Sequence, residues 1–185
     1  METTTIVVIA VAAVAVLILL VWFFSTWNRL INLDENAQNA WNNIDVLLNQ
    51  RYDMIPNMVN IVKGYAEHES GIFDQFAKAR QTAAGALAQG DVAGVAAAEG
   101  MLAGMLPRIN MVAEQYPDLK ANQNFLNLQN QLVSLENQLA DRREFYNAAS
   151  TNFNKAIQMI PSNIVANIKG CVRRELWSVE GVARE

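Results

Sequence analysis

The chain is short of the residues that most active-site chemistry requires. It has one cysteine, Cys171, and one histidine, His68, in 185 residues. A lone cysteine excludes an internal disulfide framework and any zinc site built on paired thiolates. A lone histidine excludes the di-iron pattern, which takes a histidine from each of two helices. His68 does lie between two carboxylates, Glu67 and Glu69, but neighbouring residues on a helix point about 100° apart and do not converge on one ion. Charge is sparse as well: 14 Lys and Arg stand against 18 Asp and Glu, a net of −4. Without a concentrated basic stripe, nucleic-acid binding is not expected. Nor is there a glycine-rich phosphate loop or a nucleophile–base pair, so the sequence predicts no enzyme, no cofactor and no metal.

What the chain does have is a long apolar run. Ile6 to Phe24 contains no charged or strongly polar side chain over 19 residues, enough helix to cross roughly 30 Å of hydrocarbon. Trp22, Phe23, Phe24 and Trp27 gather at its C-terminal end, where amphipathic rings favour the headgroup layer. The preceding METTT has no Lys or Arg, and no small-residue cleavage motif follows the run, so a retained single-pass anchor is expected rather than a cleaved signal peptide. Arg29, just past the run, places the C-terminal part in the cytoplasm by the positive-inside rule, on one arginine's weight, with the periplasm as the alternative. The expected organisation is a short tail at 1–5, a transmembrane helix at 6–27, a helical bundle at 28–160 and a C-terminal tail at 161–185.

Beyond the anchor, apolar residues recur in steps of three and four: Leu30, Leu33, Ala37, Ala40, Ile44, Leu47, then Arg51, then Met54, Met58, Ile61 and Tyr65. A second row, Trp41, Leu48, Ile55 and Val62, widens this to the broad face of a core-facing bundle helix. Pro56 lies inside the pattern and predicts a kink, because proline removes one backbone hydrogen bond and crowds the carbonyl of Tyr52. No breaker separates Phe24 from Leu30, so anchor and first bundle helix are expected to form one rod of about 60 residues, roughly 90 Å long. Two shorter helices follow, one opening near Ser70 and one after the Gly90-Asp91 turn. A last long helix repeats the seam from Phe125 to Ile160, with Arg142 in the place of an apolar residue, and Pro161 stops it. The predicted fold is all-α: an up-and-down bundle of four helices, two long and two short, behind the anchor.

Arg51 and Arg142 fall at interior positions of helices expected to face each other. A buried guanidinium must be paired, and Asp45, Asp53, Glu136 and Glu144 are the carboxylates within sequence reach. The expected role is helix register, with anion or ligand binding as the alternative. The outer faces carry an unusual density of asparagine: Asn28, Asn32, Asn36, Asn39 and Asn43 on the first helix, and Asn124, Asn127, Asn130, Asn137, Asn147 and Asn154 on the last. Asparagine is a poor helix former, so an amide face low in charge suggests a surface for assembly between copies. Residues 161–185 mix Ile164, Ile168 and Trp177 with Arg173 and Arg174, a composition able to lie at a membrane interface or to pack on the bundle end.

Several segments resemble the LemA family of bacterial membrane-anchored proteins: AWNNIDVLLNQRYDMIPNMVNIVKGYAEHE at 40–69, YPDLKANQNFLNLQNQLVSLE at 116–136, FYNAASTNFN at 145–154 and MIPSNIVA at 159–166. Ile55-Pro56-Asn57 and Tyr116-Pro117-Asp118 are not sequences that helical periodicity alone would produce. The resemblance implies a bundle of long helices behind one anchor, in the bacterial cell membrane, with no established enzymatic activity. The end of the chain, GCVRRELWSVEGVARE, departs from the Phe- and Pro-containing close of that family. The expected function is a self-assembling structural component of the envelope, with the lipid bilayer and further copies of the chain as partners. The alternative is an adaptor or sensor in a membrane stress or protein quality-control system.

Overall fold

The computed structural model describes residues 2–65 and 70–178. Six helices follow one another: α1 (Thr3–Lys63), α2 (Ser70–Gln89), α3 (Val92–Gln115), α4 (Pro117–Lys120), α5 (Gln123–Ala156) and α6 (Ser162–Lys169). No strand occurs among the described residues. α1 is a single helix of 61 residues that continues through Pro56. The described residues divide between two compact units, Met1–Gln38 with Ala148–Arg174, and Asn39–Asn147 with Glu175–Glu185.

In the first unit, every described side chain from Glu2 to Val21 is exposed, although the run is apolar and of membrane-spanning length. A soluble core helix would bury one face of such a run; this one buries none. Burial begins at the tryptophans. Leu30, Phe153, Ala156, Ile157, Val165 and Ala166 form a small core, and Trp22, Phe23, Trp27 and Leu33 pack against it. α6 is tied on by Ser162, whose hydroxyl donates to the Ala156 carbonyl at 2.6 Å. It ends at Gly170, whose φ of +73° suits a residue without a Cβ, and Cys171 N–H reaches back to the Ala166 carbonyl to close the terminus.

The second unit is a four-helix bundle made of the later part of α1, α2, α3 and α5. Ile44, Leu48, Ile55 and Val62 of α1 share one core with Phe73 and Phe76 of α2, Val95, Leu102 and Ile109 of α3, Leu119 of α4, and Phe125, Leu132, Leu139 and Tyr146 of α5. Side-chain contacts fix the directions. Lys63 lies over Phe73 while Arg80 donates to the Tyr52 carbonyl, so α1 and α2 run oppositely. Arg108 of α3 meets Gln75 of α2, and Gln129 of α5 meets Asn110 of α3. Tyr65 is bonded to Asn122 at one end of the α1–α5 pair, and Trp41 packs on Tyr146 at the other. The order is up, down, up, down.

Local chemistry sets the helix ends. Asp91 caps α3 by accepting from Gly94 N–H at 2.9 Å, and a Cβ at Gly94 would collide with that carboxylate. Asn122 caps α5 by accepting from the amides of Asn124 and Phe125. α5 then stops at Ala156, before the expected Ile160, and α6 lies where a tail was expected.

Candidate functional site

Among the described residues of the second unit, four charged side chains meet at its interior. Arg51 Nη1 donates to Glu99 Oε2 at 2.6 Å and to Glu136 Oε2 at 2.7 Å. Arg143 completes the group, with Nη2 3.4 Å from Glu99 and Nη1 3.6 Å from Glu136. The two cations and two anions alternate, so each charge touches two of opposite sign. Arg51 and Glu99 are almost fully buried, whereas Glu136 and Arg143 reach the edge. Burial raises the Glu99 carboxyl above its ordinary value, more strongly than Arg51 pulls it down. Burial lowers Arg143, an effect opposed first by Glu136 and then by Glu99. The Tyr52 hydroxyl is raised by burial and then by the Glu99 charge, and it stays a neutral phenol.

Arg51 therefore lies in the interior, but Arg142 does not: it is exposed, with its guanidinium over Phe145. Arg143 takes the interior place. The reason is the helical period. Counting 3.6 residues per turn from Phe125 gives positions near 132, 139, 143, 146, 150 and 157, and Leu132, Leu139, Tyr146, Ser150 and Ile157 are buried. A strict three-four alternation drifts off that line by one residue late in α5 and selects Arg142. Of the four carboxylates in sequence reach, only Glu136 is engaged by Arg51, and the second partner, Glu99, comes from α3. Its signal was its isolation as the only acidic residue between Asp91 and Glu114.

Trp177 closes one side of this group. Its ring lies 4.6 Å from the Arg143 guanidinium carbon and packs beside Trp41. It is 5% exposed, which removes it from the expected membrane interface. The chain around it has no regular secondary structure and is held through its backbone: Asn147 donates to the Trp177 carbonyl at 2.9 Å and accepts from its N–H at 2.8 Å, while Tyr146 donates to the Glu175 carbonyl. In the first unit Asn154 holds Arg174 by the same pair of hydrogen bonds, donating to its carbonyl and accepting from its N–H, and Arg174 pairs with Asp34 at 2.8 Å. Arg174 is thus engaged within the protein, whereas Arg173 is exposed. Asn147 and Asn154 bind the tail and are not part of an open amide face.

The remaining asparagines are open. Asn28, Asn32, Asn36, Asn39 and Asn43 are all exposed on α1, as are Asn124, Asn127, Asn130 and Asn137 on α5. At 100° per residue the five on α1 fall within an arc of about 80°, and the exposed Val46 and Gln50 continue it. Trp22 and Trp27 are partly buried against the first unit's core. Glu67, His68 and Glu69 lie outside the described residues.

Together these features define an all-helical protein whose bundle follows an apolar helix of membrane-spanning length. The chain belongs to the LemA family, whose model matches residues 40–185 and so takes in the tail. Among curated proteins it is similar to magnetosome protein MamQ 2 and to magnetosome protein MamQ 1 of Paramagnetospirillum magneticum, each 28% identical over 174 residues, covering 82% of this chain and 64% of the relative. It is also similar to magnetosome protein MamQ of Magnetospirillum gryphiswaldense, 26% identical with 85% and 68% covered. The chain thus spans a little under two thirds of the length of the first two relatives.

Proposed function

We propose that the protein is a non-catalytic scaffold of the bacterial cell membrane that assembles with further copies of itself through the amide face of α1. The observation that carries this reading is the stripe Asn28–Asn43: five exposed amides on one arc of a helix that continues, unbroken, out of the apolar span. Copies anchored in one bilayer bring equivalent stripes together in parallel, and amides can bond across such a seam without the repulsion that matched charges would impose. Its interior charges are paired with one another, which suits a role in holding helix register. The magnetosome relatives are named for a cellular structure and not for a reaction, which is in keeping with this reading.

Cryo-electron microscopy of the lipid-reconstituted full chain tests it. Symmetric oligomers with α1 stripes in contact are the expected result. Monodisperse monomers at all protein-to-lipid ratios would remove the scaffold reading, and a stoichiometric foreign partner on the bundle in place of self-contacts would favour an adaptor.

A further inference from the structure

The first unit leaves an apolar surface open that its own core does not use. Ile164 and Ile168, one turn apart on α6, are 55% and 64% exposed, and Met159 and Ile160 in the preceding turn are 62% and 82% exposed. The opposite side of α6, Val165 and Ala166, is buried in the small core that Trp22, Phe23 and Trp27 pack against. α6 therefore presents apolar residues on two sides, and one of these sides has no partner within the unit.

Its position says what covers it. The core that seats α6 lies at the stretch of α1 that ends the exposed apolar run, so the open face of α6 sits level with the tryptophans. In a bilayer crossed by Ile6–Val21, that level is the boundary between acyl chains and headgroups. Residues 159–173 carry two cations, the half-buried Lys169 and the exposed Arg173, and no acidic residue, and Arg29 and Lys155 of the same unit are exposed, whereas Asp34 is already paired with Arg174. A segment that mixes exposed apolar residues with cations has the composition of one that lies in an anionic interface.

We infer that residues 159–173 are a second membrane contact, with the turn and α6 lying in the headgroup–acyl boundary of the bilayer that α1 crosses. The contact fixes the azimuth of α1 about its own axis, which a single spanning helix leaves free. The inference rests on the membrane-anchored reading, and the test separates the two.

In a Cys171→Ser background of the full chain, single cysteines replace Val14, Ile164, Ile168 and, as an aqueous control, Lys78. All four positions are exposed, so the substitutions leave packing intact. Each variant carries a nitroxide and is reconstituted at high lipid dilution in phosphatidylcholine vesicles with phosphatidylglycerol. Collision with oxygen reports lipid, and collision with a nickel chelate reports water. The expected result is oxygen-dominated collision at 14, 164 and 168, shallower at the last two, and nickel-dominated collision at 78. Nickel-dominated collision at 164 and 168, with 14 in lipid, overturns this inference alone; nickel access at 14 overturns the anchor itself. Dipolar broadening at 164 that vanishes on mixing with unlabelled protein also overturns it, because a second copy then covers the face.

Discussion

At the scale of residues, the group formed by Arg51, Glu99, Glu136 and Arg143 sets the most demanding condition on the fold. Removing one member strands the charge it faced, at a cost of about 3–5 kcal/mol, whereas replacing a buried pair by apolar residues of similar volume is near neutral. Arg51→Met alone should therefore lower the stability of the bundle by about that amount. Arg51→Met combined with Glu99→Met should recover a large part of the loss. Arg142→Met should change stability by less than about 0.5 kcal/mol, since Arg142 is exposed. Urea titration of the three variants decides this; equal losses for Arg51→Met and Arg142→Met would contradict the geometry.

The same group carries a pH signature. Because the folded protein raises the Glu99 carboxyl above its unfolded value, folding favours the protonated form. The stabilising share of that proton is complete below the unfolded value, near 4.3–4.5, and is lost as pH rises through the folded value. Glu99→Gln is neutral at every pH and has no such loss. The difference in unfolding free energy, variant minus parent, should therefore shift in the variant's favour as pH rises from about 4 through the folded value. A difference independent of pH would show that Arg51 and Arg143 hold the carboxylate at its ordinary value.

At the scale of elements, the segment before residue 178, which has no regular secondary structure, is held by side chains of α5. Among the described residues, Arg174, Glu175 and Trp177 bond through their backbones to Asn154, Tyr146 and Asn147. Trp177→Ala removes a buried ring that packs beside Trp41 and Arg143 and should cost about 3 kcal/mol or more. Asn147→Ala, which loses two hydrogen bonds, should cost about 1–2 kcal/mol. Thermal melts followed by circular dichroism measure both, and an unchanged midpoint for Trp177→Ala would mean that the segment is not bound in solution. This element was also the least legible in the sequence. The helices, their order and the buried seam of α1 follow from periodicity and turn residues, because a repeating apolar pattern has one geometric solution. A segment without regular secondary structure has no repeat to detect. Two of its three partners are asparagines seven residues apart, and nothing local distinguishes them from the exposed asparagines of the same helix. α6 was hidden for a related reason: eight residues between Pro161 and Gly170 hold too few turns to show a period.

For the whole molecule, the scaffold reading turns on whether the α1 stripe is a contact or merely a wet surface. Charge separates these. Asn36 and Asn43 are exposed and seven residues apart, so glutamates at both lie on one face without repelling each other as an i, i+4 pair would. On a solvated surface Asn36→Glu with Asn43→Glu should alter stability by no more than about 0.5 kcal/mol per site. In a seam between parallel copies the same change sets like charges against each other at every contact and leaves them desolvated, which costs several kcal/mol per interface. Asn36→Gln with Asn43→Gln keeps the amides and is the matched control. The expected outcome is a glutamate variant that melts like the parent but runs as a monomer in lipid nanodiscs, beside a glutamine variant that still assembles. An oligomer unchanged by the glutamates would move assembly to a different face of the protein.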